Sequence, residues 1–376
     1  IAAENTPGVN GIQFAIPDAL VSGRHTITLT SALPTLDEGV VIDGTTEEDY
    51  AGTPVITIHG GALGGSGVGL SLNAGASVIH GLTLREFGRS AIAVGSGASV
   101  AVTDTLFENA GAQPIDLGAD QAVQTNDAGD ADGGANDGLN FPVIYSALIA
   151  GGNVTITGEA RPGVSVQFFE ADNGLAGHGG ATSLIGTGTV GATGTAGAID
   201  PTAIRFSFTF AQGSLSVGDV ISALATESGA RTSEFSANLA ATEVNAAPVL
   251  DPGRSPAFAA VLEDAGAPSG AVGTLVSDLV DFASPAGQVD NVTDTNGSPL
   301  LGIAVVAADT SQGSLWYTTD GGSNWNALGS PSIAAARLLA ADSDTRIYFQ
   351  PAANFSGTIG SAITFRAWDR TSGTAG

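Results

Sequence analysis

The chain has no cysteine and no methionine, and its 11 basic residues are all arginine, with no lysine anywhere. Without cysteine there can be no disulfide framework, no thiolate zinc site and no thiol nucleophile. Against 37 acidic residues the 11 arginines leave a formal net charge of -26. A surface so acidic has no basic patch to release counterions from nucleic acid, and it is repelled by anionic lipid. Neither nucleic acid nor a membrane is therefore an expected partner. No apolar run approaches the ~20 residues of a bilayer span. Helical periodicity is nearly missing, charged residues make up only 13%, and aromatics only 6%, so platforms for stacking sugars are few.

What is present is β-structure in short pieces. Hydrophobic residues reach 43%, enough for real cores, and 54 glycines punctuate the chain. Apolar positions alternate with a period of two. In residues 1–142 short strands are expected at Gly11–Ile16, His25–Leu29, Val40–Gly44, Pro54–Gly60, Gly69–Leu72, Ser77–Leu84, Ala91–Val94 and Ser99–Val102. The endings Ile42-Asp43-Gly44, Ile58-His59-Gly60 and Ile79-His80-Gly81 recur, which favours stacked rungs of a parallel β-helix over an antiparallel sandwich. Residues 143–242 read as a small antiparallel β-sandwich with strands at 153–158, 165–170, 204–210 and 219–226. Between them Gly174–Gly197 reads as a Gly-rich loop or hairpin, and Thr232-Ser-Glu-Phe-Ser closes the module. A linker at Asn245-Ala-Ala-Pro248-Val opens a third region, 243–376, again a β-sandwich and expected to be incomplete at its C-terminal end.

One loop carries most of the chemistry. Residues 126–140 gather Asp127, Asp130, Asp132, Asn136 and Asp137 on a Gly-rich turn with no lysine or arginine among them. Close carboxylates repel unless a cation neutralises them, and hard oxygen donors on a flexible loop suit Ca²⁺, which takes ~6–8 oxygens. The alternative is a solvated acidic turn, since Asp, Asn and Gly are ordinary turn formers.

Three sets of residues carry a resemblance. Asn10-Gly-Ile-Gln-Phe, Leu33-Pro34, Val41-Ile-Asp43-Gly44-Thr, Tyr50-Ala-Gly52-Thr-Pro54, Ile79-His-Gly81-Leu-Thr-Leu, Ile115-Asp116-Leu117-Gly and Asn140-Phe141-Pro142 resemble right-handed parallel β-helix modules of large bacterial surface proteins. Ile1-Ala-Ala-Glu-Asn resembles the tail of the segment that opens such modules, so their N-terminal cap is expected to be missing. Glu263-Asp264, Trp316-Tyr-Thr-Thr-Asp320-Gly-Gly, Asp342-Ser-Asp344, Pro351-Ala-Ala-Asn354-Phe355 and Ile363–Asp369 resemble the cadherin-like (Ig-like) repeats of giant bacterial adhesins. That resemblance implies a junction calcium site drawing on Glu263, Asp264, Asp342 and Asp344, with Glu243, Asn245 and Asp369 as further candidates. The linker departs from the pattern in lacking an Asp.

The expected protein is all-β: a right-handed parallel β-helix followed by two β-sandwich domains. It reads as a non-catalytic, extracellular, calcium-stiffened segment of a bacterial adhesin or biofilm-matrix protein. Open end rungs and a sandwich edge would let copies pair into filaments by strand exchange, and surface glycans or neighbouring cells are further expected partners. The competing class is a carbohydrate-active β-helix resembling polysaccharide lyases. Its candidate residues are Asp37, Glu38, Asp43, His59, His80, Arg85, Glu86 and Arg89, but fold alone does not license catalysis.

Overall fold

The short segments of the first region cannot bury an apolar face singly, and they stack into a β-solenoid of about four turns. The computed structural model describes residues 10–172, 177–228, 230–296 and 300–376. The opening segment Ile1-Ala-Ala-Glu-Asn and part of the Gly174–Gly197 stretch lie outside the described residues. The solenoid strands are β1 (Asn10–Gln13), β2 (His25–Thr28), β3 (Val40–Asp43), β4 (Ile56–His59), β5 (Leu70–His80), β6 (Leu82–Arg85), β7 (Ile92–Thr103), β8 (Leu106–Glu108) and β9 (Ile115–Leu117). All pairings are parallel, in the orders β1-β3-β5-β7-β9 and β2-β4-β6-β8. β5 and β7 each serve two stacks, because their first and second halves pair separately on either side of an irregularity. Three apolar columns result: Ile42–Ile79–Val102, Ile58–Leu84–Phe107 and Leu72–Val94–Leu117. All nine side chains are buried in one core.

The recurrent Asp-Gly and His-Gly endings have a steric cause. A Cβ on Gly44 would lie 2.2 Å from the Gly81 carbonyl oxygen and 2.7 Å from a Leu82 methyl of the next coil. The preceding Asp43 accepts from Thr45 N and Oγ1 at 3.0 and 2.6 Å and so fixes the turn. Gly44→Ala is expected to cost roughly 1–3 kcal/mol through overpacking. Gly11→Ala, where a Cβ meets nothing within 4 Å, serves as the control. Equal thermal midpoints for the two variants would refute the close-approach explanation.

The second region forms β10 (Val143–Ala150), β11 (Asn153–Ala160), β12 (Ser165–Ala171), β13 (Ser183–Thr189), β14 (Ile204–Ala211), β15 (Val220–Glu227), β16 (Arg231–Thr232), β17 (Leu239–Ala240) and β18 (Thr242–Glu243). One sheet runs β14-β11-β10-β18; the other runs β13-β12-β15-β16, with β17 also on β15. Val154, Ile156 and Phe206 of the first share a core with Val166, Phe168, Ile221 and Ala223 of the second. Within the stretch expected as a Gly-rich loop or hairpin, 183–189 is a strand antiparallel to β12. Its glycines reflect packing: a Cβ on Gly186 or Gly188 would strike the rings of Phe210 or Phe208.

The solenoid and these sheets belong to one compact unit, Ile1–Glu243, and Val244–Gly376 form another. The second unit holds β19 (Val249–Leu250), β20 (Thr274–Leu275), β21 (Val292–Thr293), β22 (Gly302–Ala308), β23 (Gly313–Thr318), β24 (Asn326–Ala327), β25 (Arg337–Ala340), β26 (Arg346–Pro351) and β27 (Ile363–Trp368). Sheets β20-β26-β23-β24 and β25-β22-β27 share a core of Val276, Ile303, Val305, Leu315, Leu339 and Ile347, with the pair β19-β21 beside them.

Candidate functional site

The acidic loop is pinned at its neck before its carboxylates meet. Asn126 and Phe141 bond reciprocally, Nδ2 to the carbonyl at 2.8 Å and backbone N to Oδ1 at 3.0 Å. Asn140 does the same with Asp127, its Nδ2 donating to the carbonyl at 2.7 Å and its Oδ1 accepting from the backbone N at 3.0 Å. Within this neck Asp127, Asp130 and Asp132 each place a carboxylate oxygen within 4.8 Å of the others. Among the described residues they are the one set of three or more His, Cys, Asp or Glu so placed. Burial first, then the negative charges of Asp127 and Asp130, push the Asp132 carboxyl above its usual range.

The loop lacks its own cations, but the sheets behind it supply two. Arg161 pairs with Asp130 and stands 3.5 Å from Glu227. Arg231 pairs with both Asp137 and Glu227. Asp137 thus has a guanidinium partner outside the carboxylate set. Asn136 is 2% exposed, and its amide is engaged elsewhere: Oδ1 accepts from Val100 N at 2.6 Å, while Nδ2 donates to the carbonyls of Val100 and Thr232 at 2.9 and 2.6 Å.

In the second unit Glu263 and Asp264 are exposed, and Asp264 accepts from Asn354 N at 2.8 Å. Asp342 accepts from the backbone of Asp344 and Thr345 at 3.1 and 2.7 Å, an Asx-turn arrangement. Asp369 accepts from Asn245 Nδ2 at 2.8 Å and from Thr371. Although burial raises the Asp369 carboxyl, the bonds from Asn245 and Thr371 hold it below its usual range. Among the described residues no set of three metal-ligating side chains includes Glu263, Asp264, Asp342 or Asp344.

The lyase-type candidates fall on two stacks of the solenoid. His59, Arg85 and Glu108 occupy one column in register. His59 lies 2.9 Å from Glu86, Arg85 lies 2.8 Å from Glu86 and 3.9 Å from Glu108, and Arg24 forks onto Glu108. The bond from His59, then that from Arg85, lowers the Glu86 carboxyl. Asp43, His80 and Thr103 form another column, with His80 Nδ1 2.8 Å from Thr103 Oγ1. Asp37, Glu38 and Arg89 are exposed. The paired charges of the first column tie successive coils together.

The end of the solenoid bears the functional residues that sequence reasoning missed. The last coil was expected to be an open rung, but each of its three stacks is capped. On β7 the outer edge bonds Asn136, and Thr232 Oγ1 accepts from Val102 N at 2.8 Å and donates to its carbonyl at 3.1 Å. On β8 the backbones of Phe107 and Ala181 exchange bonds at 2.8 and 2.9 Å. On β9 Glu234 accepts from Leu117 N at 2.9 Å, and also from Gln124 N at 2.8 Å. Phe235 sets its ring edge-on to Phe107 and to Phe169. The signal was the Thr232-Ser-Glu-Phe-Ser stretch, whose polar residues are buried although no partner for them is visible in sequence.

No protein-family model matches the chain, and no curated protein sequence matches it.

Proposed function

We propose that the chain is a non-catalytic structural or adhesive segment of a large extracellular bacterial surface or biofilm-matrix protein. In this reading a right-handed β-helix continues into two Ig-like or cadherin-like β-sandwiches, and Ca²⁺ held by Asp127, Asp130 and Asp132 stiffens the join. The observation that carries the reading is that convergence of three carboxylates, on a loop pinned between the solenoid and the following sheets. The non-catalytic assignment rests on the solenoid's charges being engaged with one another, as in the His59–Glu86–Arg85–Glu108–Arg24 ladder. Exposed copies would associate through sheet edges, and glycans or neighbouring cells would be met by the surface. Extracellular calcium modules bind at ~10⁻⁴–10⁻³ M, so the site would fill after export.

The test is thermal unfolding in 10 mM Ca²⁺ against EDTA, with Asp132→Asn alongside. Asp132 is the informative position, because Asp130 also pairs with Arg161 and changing it would destabilise the loop directly. Ligand at roughly 10–100 times its Kd stabilises by about 1.4–2.7 kcal/mol, or several degrees here. The rise should shrink in Asp132→Asn. A wild-type midpoint identical in Ca²⁺ and EDTA would sink the calcium reading.

A further inference from the structure

We propose that Glu234 is a proton-linked latch, through which the sheets of residues 143–243 hold the last solenoid coil more firmly when this carboxyl carries a proton. The inference is independent of calcium and of the adhesive reading. Glu234 is 1% exposed, and among the caps of the last coil it is the titratable one. Its two oxygens accept from β9 at Leu117 N and from the following loop at Gln124 N. A second carboxyl, Asp116, is 2% exposed and lies on the same strand as Leu117. Asp116 is held by Ser90 Oγ at 3.0 Å and by Gln121 N at 3.2 Å. Two carboxylates are therefore buried at one end of the solenoid, and Asp116 is the charged group acting on Glu234. The nearest histidine in the chain path, His178, bonds the carbonyl of Phe235 and not Glu234.

The third member is Gln113, 2% exposed and beside Glu234, with neither amide atom in a completed hydrogen bond. An amide there can serve both states of its neighbour. Its Nε2 can donate to a carboxylate, and after a flip its Oε1 can accept from a carboxylic acid. A dry site that accommodates either protonation state and faces another acid favours the neutral form. Burial, the largest influence, and the charge of Asp116 outweigh the bonds from Gln124 and Leu117 and the nearby Gln113 amide, raising Glu234 from 4.5 to about 7.

The sign follows from the raised value. The folded protein holds this proton more tightly than the unfolded chain does. Stability from the latch is fully present below the ordinary glutamate range and is lost as pH rises through about 7. Whatever else titrates in this range is common to wild type and to a variant that lacks only the Glu234 carboxyl, and cancels in their difference.

The experiment compares midpoints of wild type and Glu234→Gln between pH 5.5 and 8.5. The wild-type midpoint should fall by a few degrees across neutrality relative to the variant, which lacks the Glu234 contribution. A carboxyl-¹³C titration of wild type needs no variant and should place Glu234 near neutral pH, with the Leu117 and Gln124 amides shifting at the same midpoint. Parallel slopes in the two proteins, or titration of Glu234 below pH 5, would overturn the latch. So would a pH slope erased by added Na⁺ or Ca²⁺, which would mean that the acid pair holds a cation in place of the proton. If Glu234→Gln does not fold, the carboxyl titration decides alone.

Discussion

Asn136→Ala should lower the thermal midpoint of the solenoid-containing unit by on the order of 10 °C. The amide satisfies one N–H and two carbonyls in a site that is 2% exposed. Each buried backbone group left unpaired costs ~1–3 kcal/mol, so a loss of about 3–5 kcal/mol is expected. Asn136 also sits at φ 49, where asparagine is tolerated better than alanine. Asn136→Gly removes that backbone penalty and isolates the cap, and it should remain strongly destabilised. Calcium titration separates the two roles open to this residue. If Asn136 only caps β7, the calcium-induced rise in midpoint persists in Asn136→Gly. If the side chain is a ligand, the rise disappears with it. A loss below ~1 kcal/mol in denaturant unfolding would refute the capping role.

Phe235→Ala carries the other large effect. The ring is fully buried, 5.4 Å from Phe107 at an interplanar angle of 85° and 6.1 Å from Phe169 at 63°. A Cβ on Gly179 would lie 3.0 Å from Phe235 Cγ, so the chain packed against this ring carries no side chain that could fill the space it leaves. Truncating a buried phenylalanine costs about 3–5 kcal/mol, the upper part applying where the site cannot collapse. Phe235 joins the solenoid core to the following sheets, so calorimetry should show broadening or splitting of the transition of residues 1–243 as well as a lower midpoint. Phe235→Leu should recover more than half of the loss. A variant that unfolds in one transition at the wild-type midpoint would show that the ring does not hold these parts together.

The solenoid was legible because its signal is local. Apolar alternation and the Gly44 ending located β3, whereas the expected strands Gly69–Leu72 and Ser77–Leu84 are divided differently, β5 running through Leu70–His80 and β6 starting after Gly81. β13 was obscured because Gly186 and Gly188 look like loop glycines until the facing phenylalanines are seen. β10 went unmarked because its Val143–Ala150 run follows directly on the acidic loop. In that loop the carboxylates were readable, but their arginine partners at 161 and 231 were not, being brought in by long-range packing. The same holds for Asn136. A carboxamide among aspartates reads as one more oxygen donor, and only the fold shows its amide bonded to β7. The seam residues Thr232, Glu234 and Phe235 were recognised as a closing stretch, without indication of what they close.

The capped last coil also sets an order in time. Val102 and Leu117 find their caps 130 and 117 residues further along the chain. At ~5–20 residues per second of synthesis, the outer edge of that coil waits on the order of ten seconds for its cover. During that interval a nascent chain presents unpaired strand edges to its neighbours on the same messenger. Crowded translation is thus the stage at which this protein is most exposed to mispairing, before the mature molecule exists.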